Sequence, residues 1–337
     1  MSYLLAGDIG GTKCLMALAT LAGEQIEIQH EASLPSSEYP TLESMLVAFL
    51  GQAKVSVQDI GATVLAVAGP IQTMGQHSYC RLTNLPWEAS SKQLSSWLNH
   101  TPVEIINDFA AIGYALSHIE TDDLEILQDG QPDSRAPLLA VGAGTGLGLC
   151  MVDQTNALSR IYASETGHVH FAPADIEQLD LTRYWLEKQG HCTREFILSG
   201  PGIQRIAEYL QQTHNIQPGP DLDRSMREGD ASAALSKAAM DQSDELAQQT
   251  MRLFVRIYAG QLSDLALTYL PRGGLAIAGG VAARILPLMK TQTFLDAFLD
   301  NPTMRSLLEQ IPLSVITTHR SGLIGALHHA RDLCLPD

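Results

Sequence analysis

The sequence has few basic residues for its size, and this shortage excludes some classes of partner. Its 337 residues include 21 Lys and Arg against 37 Asp and Glu, which gives a formal net charge of −16. A chain this acidic repels nucleic-acid backbones and anionic lipid surfaces, so we expect neither as a general partner. An anionic ligand must then be held locally, by backbone N–H groups, helix dipoles or Mg²⁺.

Long apolar runs and cysteine pairs are also missing. No stretch approaches the roughly 20 apolar residues that span a bilayer, and the N-terminal MSYLLAGDIGG lacks the basic region of a signal peptide. We therefore expect neither a leader nor a membrane segment. The cysteines contain no C-x-x-C pair and predict reduced thiols in a cytoplasmic protein. They are Cys14, Cys80, Cys150, Cys192 and Cys334.

What the chain does have is an α/β pattern over a length that suits two domains. The first half begins with three apolar runs at hairpin-like spacing, which predict an antiparallel sheet and the order βββαβαβα. Its predicted strands are 3–7, 14–20, 25–31, 62–70 and 103–107, with helices at 39–54 and after Ser90. From Pro137 a similar pattern restarts, which indicates a duplicated domain.

The second half is predicted to carry its elements in a comparable order. Its strands are 138–141, 147–153, 155–164, 274–280 and 313–317, and its helices are 174–190, 202–214, 230–267 and 322–333. The polar stretch 122–134 is predicted to be a surface excursion. We expect a small α/β domain over 1–108 plus 318–337, and a larger one over 109–317.

Two glycine-rich turns occupy equivalent places in the halves, at 7–13 and 142–148. Because glycine has no Cβ, the backbone of such a turn can approach an anion and bind phosphate oxygens through its N–H groups. Asp8 can share that site only if Mg²⁺ lies between it and the phosphate. Neither turn is a Walker loop or a dinucleotide fingerprint, and for either turn alone an ordinary hairpin remains an alternative.

Polar side chains follow several predicted strands. Asp108 comes directly after the strand 103–107, where ligands bind in α/β sheets, although a helix N-cap is the alternative. Glu165 and His168 flank Gly167 and can both reach one small polyol, although His168 could equally be a core histidine. Nearby histidines raise a zinc alternative, but no cysteine cluster completes such a site.

Together these segments resemble the bacterial glucokinases, the hexokinase-type, non-zinc branch of the sugar kinase, actin and heat-shock ATPase superfamily. The resemblance runs the length of the chain and is carried by seven motifs in the family's order. They are GDIGGT at 7–12, IINDF at 105–109, GAGTGLG at 142–148, E-x-G-H-V at 165–169, LSGPG at 198–202, AGG at 278–280 and GLIGA at 322–326.

The resemblance implies an actin-like ATPase (ribonuclease H-like) fold of two duplicated domains with a cleft between them. It also implies ATP-dependent phosphorylation of glucose to glucose 6-phosphate, the first step of glycolysis, by a cytoplasmic homodimer that uses Mg²⁺. Asp108 matches the catalytic base. The other matching glucose-binding positions are Asn84, Asn107, Glu165, His168 and Glu195.

The nucleotide positions follow from the same resemblance. The two turns match the phosphate motifs, the stretch 273–281 matches the adenosine motif, and Asp8 matches the residue that binds Mg²⁺ through water. The implied ATP-binding residues are Asp8, Gly10, Gly11, Thr12, Lys13, Gly144, Thr145, Gly279 and Gly280.

The chain departs from the family pattern at two positions. Thr166 stands where the family often has glycine, in Glu-Gly-Gly-His, and is expected to add a Cβ beside the sugar. His170 stands where an acidic residue is usual. A kinase for another hexose such as fructose or mannose, or an actin-like ATPase without a sugar, therefore remains an alternative.

Overall fold

The computed structural model describes residues 2–155 and 159–334. The strands are β1 (Tyr3–Ile9), β2 (Lys13–Ala22), β3 (Gln25–Pro35), β4 (Ile60–Val67), β5 (Gln72–Met74), β6 (His77–Arg81), β7 (Glu88–Ser90), β8 (Val103–Asn107), β9 (Leu124–Gln128), β10 (Leu138–Ala143), β11 (Leu147–Asp153), β12 (Arg160–Ser164), β13 (Gly274–Ala278) and β14 (Leu313–Ile316).

The α-helices alternate with these strands as in an α/β protein. They are α1 (Leu42–Ala53), α2 (Ser91–Trp97), α3 (Asp108–Ala115), α4 (Ile176–Gln189), α5 (Arg194–Ile197), α6 (Gly200–Thr213), α7 (Pro220–Glu228), α8 (Ala231–Met240), α9 (Glu245–Tyr269), α10 (Gly280–Arg284), α11 (Leu286–Met289), α12 (Gln292–Phe298), α13 (Arg305–Leu308) and α14 (Ser321–Asp332).

The chain divides into two compact units. The first comprises Met1–Thr121, Asn156–Ala163 and Thr318–Asp337, and the second comprises Asp122–Thr155 and Ser164–Thr317. The C-terminal segment thus groups with the N-terminal one, and α3 belongs to the first unit.

The sheet of the first unit has the order β3-β2-β1-β4-β8. β1, β2 and β3 pair in antiparallel fashion, which confirms the predicted three-stranded start, and β4 and β8 add parallel strands beside β1. The apolar runs of β1 and β4 are buried because α14 covers one face and α1 packs with the core on the other. This arrangement brings the carboxyl ends of β1, β4 and β8 to one edge.

The sheet of the second unit contains the order β11-β10-β13-β14-β9. β10 and β11 form an antiparallel hairpin, and β13 and β14 run parallel to β10. The long helix α9 supplies much of the core, with Phe254, Tyr258 and Leu262 all buried. A strand–turn–strand again precedes parallel strands, as in the first unit.

Two predictions for the second unit are wrong. The single helix predicted over 230–267 is two helices, because Gln242 adopts a left-handed conformation and the Asp244 carboxylate caps α9 by accepting from the Ala247 N–H at 3.0 Å. The stretch 122–134 is not simply a surface excursion, since β9 lies within it and pairs antiparallel with β14. The polar residues around β9 conceal its short apolar core from periodicity analysis.

No helix in the described ranges has both the length and the hydropathy that a membrane-spanning segment requires. Within those ranges, no disulfide joins any two of the cysteines.

Candidate active site

The first glycine turn joins β1 to β2 and is held from behind by one serine. The Gly10 N–H donates to the Lys13 carbonyl at 3.1 Å, which closes the turn. Ser36 donates its hydroxyl to the Gly10 carbonyl at 2.8 Å and its N–H to the Thr12 carbonyl at 3.0 Å. The carbonyls are thereby occupied, and the exposed residues Gly11 to Lys13 are left to meet a ligand. Ser36 carries no sequence signal that predicts this role.

Asp8 is the acidic residue close to this turn and is the second-last residue of β1. Burial, together with the nearby Asp108 carboxylate, raises its pKa from 3.8 to about 6, although Lys13 acts in the opposite direction. A bound cation would relieve this repulsion and restore the charged form. The pair of carboxylates therefore fits the predicted place for Mg²⁺.

Asn107 and Asp108 lie at the junction of β8 and α3. Asn107 is the N-cap of α3, and its Oδ1 accepts from the Phe109 N–H at 2.9 Å. Asp108 is the first helical residue, and its Oδ1 accepts from the same N–H at 3.0 Å. The capping role weighed for Asp108 is therefore shared with Asn107. Asp8 pairs with Ala66 on β4, and β8 lies beside β4 in the sheet. The carboxylates of Asp8 and Asp108 therefore lie at the same edge, where these parallel strands end.

Asn84 reaches the same turn from the segment before β7. A Cβ added to Gly11 would lie only 2.8 Å from the Asn84 Cβ, so glycine is required for this close approach. The exposed Asn84 side chain is thus a neighbour of the first phosphate turn.

The second glycine turn joins β10 to β11 and has different supports. The Gly144 N–H donates to the Gly146 carbonyl at 2.8 Å, and the Gly200 N–H donates to the Gly144 carbonyl at 2.8 Å. Glu195 accepts from the Leu147 N–H through Oε2 at 2.8 Å. Nothing in the sequence around Glu195 separates it from an ordinary helix charge, but the structure places it directly against this turn.

Glu165 and His168 form a pair in a short 3₁₀ turn after β12. Their Oε2 and Nε2 atoms are 3.8 Å apart, and the side chains are 79% and 68% exposed. The turn is closed by the His168 N–H, which donates to the Glu165 carbonyl at 3.0 Å. The exposure of His168 argues against the alternative of a core histidine.

Thr166, between them, is buried. Its side chain is only 6% exposed and accepts from Arg194 Nη1 at 2.7 Å. The hydroxyl therefore contacts the half-buried guanidinium, and the expected place of its Cβ beside the sugar stays a prediction.

The glycine pair after β13 lies against the second turn. Gly279 has a φ of 89°, and a Cβ there would come within 2.6 Å of the Ala143 carbonyl oxygen. Because β10 and β13 are adjacent parallel strands, the predicted adenosine residues Gly279 and Gly280 lie next to the predicted phosphate residues Gly144 and Thr145.

The predicted site residues therefore form one group in each unit. The first unit holds Asp8, Gly10, Gly11, Thr12, Lys13, Asn84, Asn107 and Asp108. The second unit holds Gly144, Thr145, Glu165, His168, Glu195, Gly279 and Gly280. Over residues 2–155 and 159–334, no three or more His, Cys, Asp or Glu side chains are grouped so that they could hold a metal ion.

The comparison with known proteins is decisive at the level of the family. The family model described as "Glucokinase" matches residues 5–333. A relative named glucokinase from Nostoc punctiforme is 36% identical over 340 residues, which cover 97% of this chain and 98% of the relative. The chain belongs to the glucokinase family. The family and the enzyme class predicted from sequence are thereby confirmed.

Solved glucokinase structures agree with this assignment. The glucokinase from an Antarctic psychrotroph superposes with a TM-score of 0.83 at 27% identity, covering 98% of this chain and 99% of that one. The glucokinase from Balamuthia mandrillaris, solved in complex with glucose, gives a TM-score of 0.78 at 22% identity, covering 98% and 94%. The predicted α/β class with the actin-like ATPase fold is confirmed.

The glucokinase motif at 322–326 now has a structural reason. A Cβ on Gly322 would come within 2.6 Å of Asp8 Oδ2, and one on Gly325 would lie 1.7 Å from the Ala111 carbonyl oxygen. The two glycines let α14 approach β1 and α3 closely, which helps to bury Asp8. The sequence marked these glycines as part of a motif but gave no indication of this role.

Proposed function

We propose that this chain transfers the γ-phosphoryl group of ATP to the 6-hydroxyl of D-glucose, with Asp108 as the general base. Its membership of the glucokinase family supports the reaction. The observation that supports the residue is the position of Asp108, at the carboxyl end of β8 beside Asn107 and close enough to Asp8 to raise its pKa. In this proposal the Asp108 carboxylate acts on the sugar hydroxyl, and the Asp8 carboxylate acts near the phosphates.

Asp108 acts on the proton of the attacking hydroxyl. Its Oδ1 is fixed by the Phe109 N–H, which orients the carboxylate. Phosphoryl transfer passes through a loose transition state, so Asp108 first orients the 6-hydroxyl by accepting its hydrogen bond and takes the proton late.

The two glycine turns bind the phosphates of ATP. The N–H group of the exposed Gly11 and the hydroxyls of the exposed Thr12 and Thr145 are the donors, and Lys13 adds a positive charge. Gly144, without a Cβ, lets the second turn come close to the phosphate. Donors fixed by the turn hydrogen bonds stabilise the charge that develops on the γ-phosphoryl oxygens without reorganising. Gly279 and Gly280 contact the adenosine.

Asp8 would hold Mg²⁺ through water molecules. Bound there, the ion would supply positive charge against the negative charge of the nucleotide's phosphates. Without it, the repulsion that raises the pKa of Asp8 would also act against the nucleotide.

Glucose is recognised through its hydroxyls. Asn84, Asn107 and Asp108 are the proposed ligands in the first unit, and Glu165, His168 and Glu195 are those in the second. Carboxylates accept from hydroxyls, whereas asparagine and histidine can donate or accept, so together they cover a polyol with several hydroxyls. A homodimer in the cytoplasm completes the proposal; the resemblance supports the dimer, and the absence of disulfides among the described cysteines fits the compartment.

The test is a panel of hexoses and phosphoryl donors assayed with the purified protein. Glucose with ATP and Mg²⁺ should give the highest kcat/KM, and ³¹P NMR should identify glucose 6-phosphate as the product. A higher kcat/KM for fructose or mannose would replace the substrate. Phosphorylation at another hydroxyl would remove the role proposed for Asp108.

A further inference from the structure

The guanidinium of Arg194 is half-buried in the segment that precedes Glu195, and it contacts neutral oxygens. Its Nη1 donates to Thr166 Oγ1 at 2.7 Å, and its Nε donates to Gln261 Oε1 at 2.8 Å. Gln261 is only 2% exposed and is itself fixed, because its Nε2 donates to the Ala172 carbonyl at 3.0 Å and to Asp264 Oδ2 at 3.2 Å. The guanidinium therefore has a rigid partner on α9 and a second partner in the turn at 165–168.

The electrostatics of this group are consistent with a fixed position. Burial lowers the pKa of Arg194, and the nearby Asp264 carboxylate acts in the opposite direction. Such compensation reduces the cost of removing a cation partly from water. Hydrogen bonds from a charged donor are stronger than those between neutral groups, so the contact with Thr166 is a firm one.

The backbone joins the same two segments. The Arg194 N–H donates to the Val169 carbonyl at 2.9 Å, and the Phe171 N–H donates to the Cys192 carbonyl at 3.0 Å. This short antiparallel ladder aligns residues 169–171 with 192–194 and begins directly after the 3₁₀ turn Thr166–His168. The side chain of Arg194 then extends the connection from the ladder to Thr166.

The proposed glucose ligands of the second unit lie on these two segments. Glu165 and His168 flank the buried Thr166, and Glu195 follows Arg194 directly. A Cβ on Gly167 would come within 3.3 Å of the Glu195 carboxylate, so the turn and Glu195 are in close contact. A shift of the turn relative to α5 would change the distance between the glucose ligands.

We propose that Arg194 is a positioning residue for glucose and that Thr166 is its partner. The family often has glycine at this position, in Glu-Gly-Gly-His, whereas this chain has Thr166. Its hydroxyl accepts a hydrogen bond from the Arg194 guanidinium and so fixes the position of the turn at 165–168 relative to Glu195. This inference rests on the proposed function, because Glu165, His168 and Glu195 must be the glucose ligands. The proposed positioning role concerns binding of the sugar, and we expect binding of ATP to be independent of the contact between Arg194 and Thr166.

Thr166→Val tests the hydroxyl at constant shape. Losing an acceptor for a half-buried charged donor should raise the KM for glucose about tenfold, with the KM for ATP within about twofold of wild type. Thr166→Ser restores the hydroxyl and should recover most of that loss. The matched control is Thr182→Val, since Thr182 is buried in the same unit and its hydroxyl donates to the Gln178 carbonyl at 2.7 Å. It should lower Tm without raising the KM for glucose.

Arg194→Lys tests the geometry of the donor. A lysine keeps the charge but lacks the planar fork that serves Thr166 and Gln261 together, so it should raise the KM for glucose about as much as Thr166→Val. The double variant Arg194→Lys with Thr166→Val should be no worse than Arg194→Lys alone, because the contact that Thr166→Val removes is already lost.

The outcomes separate this inference from the proposed function. If the wild type phosphorylates glucose and Thr166→Val leaves its KM for glucose unchanged, the positioning role is wrong. The same conclusion follows if the KM values for glucose and ATP rise together, or if the effects of the two single variants simply add. If the wild type does not phosphorylate glucose, the proposed function itself fails, whatever the variants do.

Discussion

The turn at 10–12 and the turn at 144–146 each join two antiparallel strands, yet different side chains support them. The first turn is held by Ser36, a neutral hydroxyl behind the Gly10 carbonyl. The second is held by Glu195, whose carboxylate accepts from the Leu147 N–H. The acidic residue near the first turn, Asp8, lies on β1, and its pKa is raised by the nearby Asp108 carboxylate as well as by burial.

This difference separates the tasks of the two units. In the first, the support of the turn has no proposed contact with glucose, and the carboxylates are left for the base and the metal. In the second, one carboxylate both supports the phosphate turn and is proposed to bind glucose. A change behind the first turn should therefore affect ATP alone, whereas a change at Glu195 should affect both substrates.

The largest effect is expected from Asp108→Asn. Removing the base should lower kcat about 10³-fold and leave the KM values for glucose and ATP within a few-fold of wild type. Asparagine keeps an oxygen for the Phe109 N–H, so α3 should retain its first turn. Steady-state kinetics with circular dichroism as a folding check measure this. Near-wild-type kcat in a folded variant would remove Asp108 from the mechanism.

Glu195→Gln should have the next largest effect and tests the double role directly. The loss of charge should raise the KM for glucose about 10- to 30-fold, and the weaker acceptor for the Leu147 N–H should raise the KM for ATP by about threefold. The control is Glu208→Gln, which removes the same charge elsewhere in the second unit. An unchanged KM for ATP would contradict the link between the turn and the sugar ligand.

Asp8→Asn should stabilise the ligand-free protein, because it removes a carboxylate whose charged form is disfavoured by burial and by Asp108. Because the folded pKa is about 6 and the ordinary value is 3.8, the folded state binds the proton more tightly, and wild-type stability falls as pH rises through this window. Without nucleotide or divalent cations, the variant should gain about 1–2 kcal/mol of unfolding free energy at about pH 8 and almost nothing below about pH 4.

Denaturant unfolding across that pH range measures the gain for Asp8→Asn, and Glu24→Gln, exposed in the turn between β2 and β3, is the control for charge removal. A gain that does not change with pH would mean that the carboxylate is not the cause. Activity should be lost in Asp8→Asn even as stability rises.

Ser36→Ala should have the smallest effect. One hydrogen bond behind the Gly10 carbonyl is worth about 1 kcal/mol, so the KM for ATP should rise about three- to fivefold while the KM for glucose stays the same. The matched control is Ser91→Ala, a buried serine of the same unit whose Oγ accepts from the Ser78 N–H. If Ser36→Ala raised the KM for glucose as much as that for ATP, the separation of the two turns would be wrong.

The sequence predicted the parts that follow from local patterns. The hairpin of β1 and β2, the strand before Asp108 and the glycine turns each have a periodicity or a turn residue that marks them. The break between α8 and α9 was missed because it is short: only residues 241–244 separate the helices, with Gln242 left-handed and Asp244 capping α9.

The supports of the site could not be predicted for a different reason. Ser36 is distant in sequence from Gly10, and Arg194 is distant from Thr166, so neither contact leaves a local pattern. The contact between Thr166 and Arg194 in particular depends on the direction of a side chain, whereas spacing gives only the position of a residue along the chain. Contacts of this kind depend on the tertiary fold.

The rate of ADP release by the wild type, measured with saturating ATP and Mg²⁺ in the presence and absence of glucose, tests the central claim most directly. We predict release that requires glucose and is matched mole for mole by glucose 6-phosphate. Release at the same rate without any sugar would instead indicate an ATPase and contradict the account.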